Sequence, residues 1–245
     1  MKISIVVPAF NEEKLLGETL MQIKSASGAF ARCGWETELI VCDNNSNDRT
    51  AEIARAAGAT VVFEPVNQIS RARNSGATAA TSDWLVFVDA DSHPSAELFA
   101  DMAKEICSGN CLAGGATLRW DRGTFFVALI TRLVNFGFRW RRLLIGAFIF
   151  VETAAFRKLG GFSQKAFAGE ELELSWRLKK LAKETGKRFV ILHRHPVVTS
   201  ARRRQDLSVP RLFRGVCGLL YHIIFKPHHF TANREAARAW YDGQR

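Results

Sequence analysis

Apolar and polar positions alternate along the first part of the chain in short blocks. An apolar run at residues 3–7 stops at Pro8. Asn11, Glu12, Glu13, Leu15, Leu16 and Leu20 follow, a pattern that predicts a strand, a turn and a helix with Asn11 as N-cap. Residues 38–42 predict a second strand ending in Asp43, then a polar turn over 44–50 and a helix over 51–57. A third short strand at 60–63, a small-residue helix at 70–80 and a fourth strand at 85–88 repeat the unit. Strands alternating with helices imply an α/β fold with a mainly parallel sheet, right-handed crossovers and helices on both faces.

The fourth strand ends in two acids, Asp89 and Asp91. In open α/β sheets ligands sit beyond the carboxyl ends of the strands. A period of two lets both carboxylates face one hard cation, Mg²⁺ or Mn²⁺. The plainer alternative is an Asp-rich turn, with Pro94 opening the next helix at its first position. No Gly-x-Gly-x-x-Gly and no Gly-x-x-x-x-Gly-Lys-Ser/Thr loop is present, so phosphates bound here would be held by metal and basic side chains.

From Gly114 the pattern changes. Residues 116–120 predict a strand. Residues 125–138 are apolar around most of a helical circumference, with Arg132 and Asn135 as exceptions and Arg139, Arg141 and Arg142 following. That segment reads either as a buried core helix or as an interfacial one addressing anionic headgroups. A strand at 146–151 and a short helix at 154–160 lead through Gly160, Gly161 and Phe162 to a second acidic cluster, which opens a helix striped by Leu174, Leu178 and Leu181. On that helix Glu170 and Glu171 flank the stripe, whereas Glu173 turns away to meet Arg177. A strand at 188–192, the basic stretch with His195 and Arg202, and an amphipathic tail at 210–230 complete the chain.

The 34 Lys and Arg against 24 Asp and Glu in 245 residues give a net charge of +10, which calls for an anionic partner: nucleotide phosphates, a membrane surface or nucleic acid. The five cysteines follow no metal or disulfide spacing, as expected of reduced thiols. Neither a leader pattern nor an apolar run of about 18 residues is present, so a cytoplasmic location is expected, with peripheral contact on the cytoplasmic membrane face as the sharper alternative.

Four ordered segments, residues 4–13, 39–50, 72–77 and 89–91, together resemble the family 2 inverting nucleotide-sugar glycosyltransferases of the GT-A fold. The resemblance continues through 160–162 and 169–174 and covers about residues 1–205. It implies a nucleotide-sugar-binding half at 1–113 and an acceptor and catalytic-base half at 114–205, with a helical tail at 206–245. It also implies that Pro8, Ala9 and Glu12 lie beside the base and ribose, that Asp43 binds the nucleoside, and that Arg73 lies close by. Asp91 and then Asp89 would hold a divalent cation, with His93 and His195 as further candidate ligands and Arg202 over the diphosphate. Glu171 would be the general base, with Glu170 beside it. The implied partners are a UDP- or GDP-linked sugar and an acceptor that is a glycan, a lipid carrier or a small metabolite; no nucleic-acid partner is expected. Two positions depart from the family pattern: Asn44 stands where a second Asp is frequent, and Glu171 where Asp is usual. A nucleotidyltransferase and a non-catalytic basic module binding nucleotides or membrane surfaces are the alternative readings.

Overall fold

The hydrophobic blocks pair into one sheet. The computed structural model describes residues 1–165 and 169–201. Its strands are β1 (Lys2–Ala9), β2 (Glu36–Asp43), β3 (Thr60–Phe63), β4 (Trp84–Val88), β5 (Ser92–His93), β6 (Cys111–Trp120), β7 (Phe148–Glu152) and β8 (Arg188–Thr199). They stand in the order β3-β2-β1-β4-β7-β6-β8-β5. The first four in that order are parallel, as the alternation of elements predicts. β7 then runs antiparallel between β4 and β6, while β8 returns parallel to β6. The predicted tail at 206–245 lies outside the described residues.

The helices are α1 (Leu16–Ala31), α2 (Thr50–Ala56), α3 (Ile69–Ala79), α4 (Ala96–Cys107), α5 (Phe125–Arg141), α6 (Thr153–Lys158) and α7 (Glu170–Thr185). Strand periodicity divides the core between the two faces of the sheet. Ile3, Ile5 and Val7 of β1, with Trp84, Val86 and Val88 of β4, pack with Leu16 and Leu20 of α1 and Phe99 and Met102 of α4. Val6, Leu85 and Phe87 face the other way, onto Ala77 of α3 and Leu174, Leu178 and Leu181 of α7. Both faces are therefore covered, and the central strands are buried on both sides.

Three local expectations are corrected. β1 runs through Pro8 to Ala9, because its register with β4 ends at Val6; beyond that point β1 is paired only with β2, where a missing N–H is tolerated. Asn11 does not cap a helix: it takes a left-handed φ of 51°, and α1 begins only at Leu16. Pro94 precedes the cap of α4, which is Ser95, whose hydroxyl accepts from the Leu98 amide at 3.2 Å.

Candidate active site

Two carboxylates at different places in the chain meet one guanidinium. Arg73, 1% exposed on α3, donates from Nη1 to Glu170 Oε1 at 2.8 Å and from Nη2 to Asp89 Oδ1 at 2.8 Å. Nη2 also reaches the Gly146 carbonyl at 3.1 Å, and the guanidinium stacks over Phe162 at 5.2 Å. The tip of β4, the start of α7 and the approach to β7 thus converge on a single side chain. Burial by itself lowers the pKa of Arg73, but the charges of Asp89, Glu170 and Glu171 more than offset this, so the group stays protonated. Glu171 is half-buried on the next position of α7. Burial and the adjacent Glu170 charge push its pKa up to about 8, with Arg73 pulling the other way to a smaller extent.

The segment carrying Arg73 divides its labour residue by residue. Asn74 accepts from the Phe162 amide and donates to the Phe162 carbonyl, both at 2.9 Å, which anchors the turn made by Gly160 and Gly161, each at φ 74°. Ser75 donates to Glu64 at 2.7 Å. A Cβ on Gly76 would lie 2.4 Å from Val6 Cγ1, so glycine is what lets α3 approach β1 closely enough to bring Arg73 under the strand tips.

At the ends of β1 and β2 the loops are tied to each other. The Asn11 amide donates to Ser46 Oγ, the Glu12 amide to Thr50 Oγ1 and the Glu13 amide to Asp48, while Asn11 Oδ1 accepts from the Asn47 amide. These cross-loop bonds account for the late start of α1. Pro8 and Ala9 line the end of β1, and Glu12 and Asp43 are both buried, with Asp43 Oδ1 accepting from the Ser46 amide at 3.1 Å.

Asn44 is a clamp. Its Nδ2 donates to the carbonyls of Glu64 and Val66 at 3.1 and 2.6 Å, and its Oδ1 accepts from the Gln68 amide at 2.9 Å. An aspartate would set a carboxylate oxygen against two carbonyl oxygens. Asn44→Asp is therefore expected to cost about 1–3 kcal/mol of stability, and an unchanged chemical-denaturation midpoint would refute the clamp.

Asp91 is half-buried beside the end of β8: Thr199 Oγ1 approaches its Oδ1 at 3.4 Å, and its carbonyl accepts from the Ser200 amide at 3.0 Å. His93 lies on β5 opposite Val198, and its Nε2 is buried with no hydrogen-bond partner among the described residues. His195 does not join Asp91. It pairs through Nδ1 with Asp101 of α4 at 3.0 Å, and it precedes Thr199 by four strand positions, about 13 Å of strand. Arg202 lies outside the described residues.

The donor set suits a hard cation. Asp89 and Glu170 share the guanidinium of Arg73, two carboxylates against one cation, and Asp91 stands two residues beyond Asp89, so the oxygens offered at this corner are carboxylate oxygens. Among the described residues no three or more His, Cys, Asp or Glu side chains form a cation cage. A cation here would complete its shell with substrate and water oxygens, the ordinary manner of Mg²⁺.

The Glycosyl transferase family 2 model matches residues 4–163. The chain belongs to that family. A relative, the 4,4'-diaponeurosporenoate glycosyltransferase of Staphylococcus haemolyticus, is 41% identical over 96 residues, which is 36% of this chain and 24% of that one. The chain thus spans about a quarter of that relative's length. Among solved structures, residues 1–349 of TarS from S. aureus superpose with a TM-score of 0.66 at 19% identity, covering 99% of this chain and 79% of that one. The mannosyltransferase PcManGT from Pyrobaculum calidifontis, in complex with GDP-Man and Mn2+, gives 0.66 at 17%, covering 98% and 73%. These likenesses establish the GT-A fold.

In this family member the acids at element ends are visible in the sequence, and the groups that hold them are not. Arg73, expected beside the nucleoside, has both terminal nitrogens spent on Asp89, Glu170 and Gly146. The clamps Asn44 and Asn74 and the cross-loop bonds of Asn11 were missed. The one available signal was a cluster of asparagines at strand ends, where amides often bond backbone groups.

Proposed function

We propose that this chain transfers a sugar from a nucleotide-diphospho-sugar to an acceptor hydroxyl with inversion, with a divalent cation as cofactor and Glu171 as general base. The observation that carries the reading is the Arg73 bridge, which joins the acid at the tip of β4 to the first residue of α7. The donor end and the base end thereby share one rigid support. Pro8, Ala9, Glu12 and Asp43 bound the nucleoside end, where the Asp43 carboxylate can accept from a base N–H or a ribose hydroxyl. A cation held by Asp91 and Asp89 would neutralise the diphosphate as it leaves, and His93 Nε2 is a candidate additional donor. Glu171 takes the acceptor hydroxyl proton while that oxygen bonds to the anomeric carbon. The bond from that carbon to the diphosphate breaks on the opposite face, which inverts the centre. Glu170 and Arg73 are positioning residues. A GDP-Man and Mn2+ complex of PcManGT, and a complex of M. tuberculosis glucosyl-3-phosphoglycerate synthase with Mn2+ and UDP, support this donor class.

Thermal melting with UDP or GDP, with and without Mn²⁺, tests the donor site without an acceptor. A ligand at a hundred times its Kd adds about 2.7 kcal/mol, a shift of roughly 5–10 °C for a chain of this size. The Mn²⁺-dependent part is expected to vanish in Asp91→Asn. An equal shift in that variant would remove Asp91 from the cation site, and no shift with any nucleoside diphosphate would overturn the donor reading.

A further inference from the structure

α5 has two apolar faces, and the fold uses one. Ile130 and Phe138 turn inward, the latter packing with Leu143 and Leu172, and Asn135 fastens the helix to β6 by accepting from the Leu118 amide and donating to its carbonyl. Phe125, Phe126, Leu129, Leu133, Phe136 and Trp140 are left exposed, Phe125 at 84% and both Phe136 and Trp140 at 67%. At about 100° per residue these six positions fall within roughly 100° of arc, a single stripe along the whole helix.

The surroundings of the stripe are cationic. α5 contains no acid. Arg132 and Arg139 border the stripe on one side; Arg122 precedes the helix, and Arg141 and Arg142 end it. No ion pair among the described residues reaches any of these five arginines. At the C-terminal end Lys179 lies over the Trp176 ring at 3.7 Å and donates to the Arg141 carbonyl. Burial, then Arg141 and Arg142, lower the Lys179 pKa to about 8. Arg141 Nε is buried there without a hydrogen-bond partner among the described residues. Uncompensated positive charge beside an exposed aromatic and aliphatic stripe is complementary to one kind of surface, apolar within and anionic at its boundary.

We propose that α5 is the membrane-docking element of this protein, lying in the interface of a bilayer rich in anionic phospholipid with its exposed stripe among the acyl chains and its arginines at the headgroups. No helix of the described residues is long and apolar enough to cross a membrane; α5, fastened to β6 and Leu172 along its other face, meets a bilayer in the in-plane manner. Because Phe138 and Leu143 pack on Leu172, the residue after Glu171, docking sets the start of α7 within one helix of the lipid surface. If the transferase reading holds, this favours an acceptor hydroxyl carried on a lipid.

Co-sedimentation of the full chain with phosphatidylcholine vesicles, with and without phosphatidylglycerol, tests docking independently of catalysis. Binding is expected only with phosphatidylglycerol and is expected to weaken as salt rises. Phe136→Asp with Trp140→Asp is expected to reduce partitioning at least about tenfold, and Arg132→Glu about fivefold or more, with melting temperatures unchanged because these side chains are exposed. Three outcomes would overturn the proposal: no sedimentation of the wild type with anionic vesicles, undiminished binding of the stripe variant, or a dimer in solution that the stripe variant converts to monomer. The last would mean that a second copy covers the stripe. UDP and GDP melting shifts on the same samples report the donor site separately, so a failure of docking and a failure of the transferase reading give different results.

Discussion

Replacing Arg73 with methionine is expected to lower stability by about 3–5 kcal/mol, a fall in Tm on the order of 10 °C. Glu170, 3% exposed, would be left as a buried charge without its partner, Asp89 would lose its ion pair, and Phe162 would lose the cation over its ring. The loss should fall mainly on the unpaired charge, since removing both partners of a buried pair is often nearly neutral. Arg73→Met combined with Glu170→Leu is therefore expected to recover more than half of it, and a double-mutant cycle by chemical denaturation measures that recovery. A single variant as stable as the wild type would show that the acids do not depend on Arg73.

The bridge also marks the boundary between what the chain discloses and what it conceals. The strands and helices of the first half were legible because β1 and β2 are apolar runs closed by polar turns and the helix stripes recur with the helical period. Asp89, Asp91 and Glu171 were legible as acids at element ends. The partners of Arg73 were not, since Glu170 lies 97 residues away and no local pattern specifies that pairing. The reversal at β7 is equally silent: a strand buried on both faces reads the same in either direction. α5 shows a third kind of silence. Its apolar residues surround the helix, so the sequence could not say which side packs on β6, and both the core and the interfacial readings stood. Asn11 was misread because the same short amide that caps helices also tolerates a left-handed φ and bonds a neighbouring loop.

Glu171→Gln is expected to cut the transfer rate by about 10²–10⁴-fold, the usual contribution of a positioned general base. The substitution keeps the shape of the side chain and removes its ability to take a proton. In the wild type the rate is expected to rise with pH up to the raised pKa, because the group acts only when ionised. Stability changes in the opposite sense. With its pKa moved from 4.5 to about 8, the folded protein holds a proton on Glu171 that the unfolded chain has already released between those values. The stability this contributes is fully present below pH 4.5, is lost as pH rises toward 8, and changes no further above that. The glutamine variant is thus expected to melt above the wild type near pH 8.5 and close to it near pH 5. Melting curves at the two pH values, run beside initial rates, separate the roles: a variant that is inactive yet shows no pH-dependent gain would mean that Glu171 titrates normally, and full activity would remove it as the base.

The order of strands bears on how the molecule comes together. β4 lies between β1, made early in the chain, and β7, which follows it by sixty residues or so of sequence. A chain ending before β7 would leave β4 with an open hydrogen-bonding edge and apolar side chains on both faces, and Arg73 with neither Glu170 nor the Gly146 carbonyl. Closing such distant contacts carries a loop-entropy cost before any of them is rewarded. The two halves are therefore expected to fold together rather than one after the other, and the Arg73 corner to form in the same cooperative step that seals the middle of the sheet.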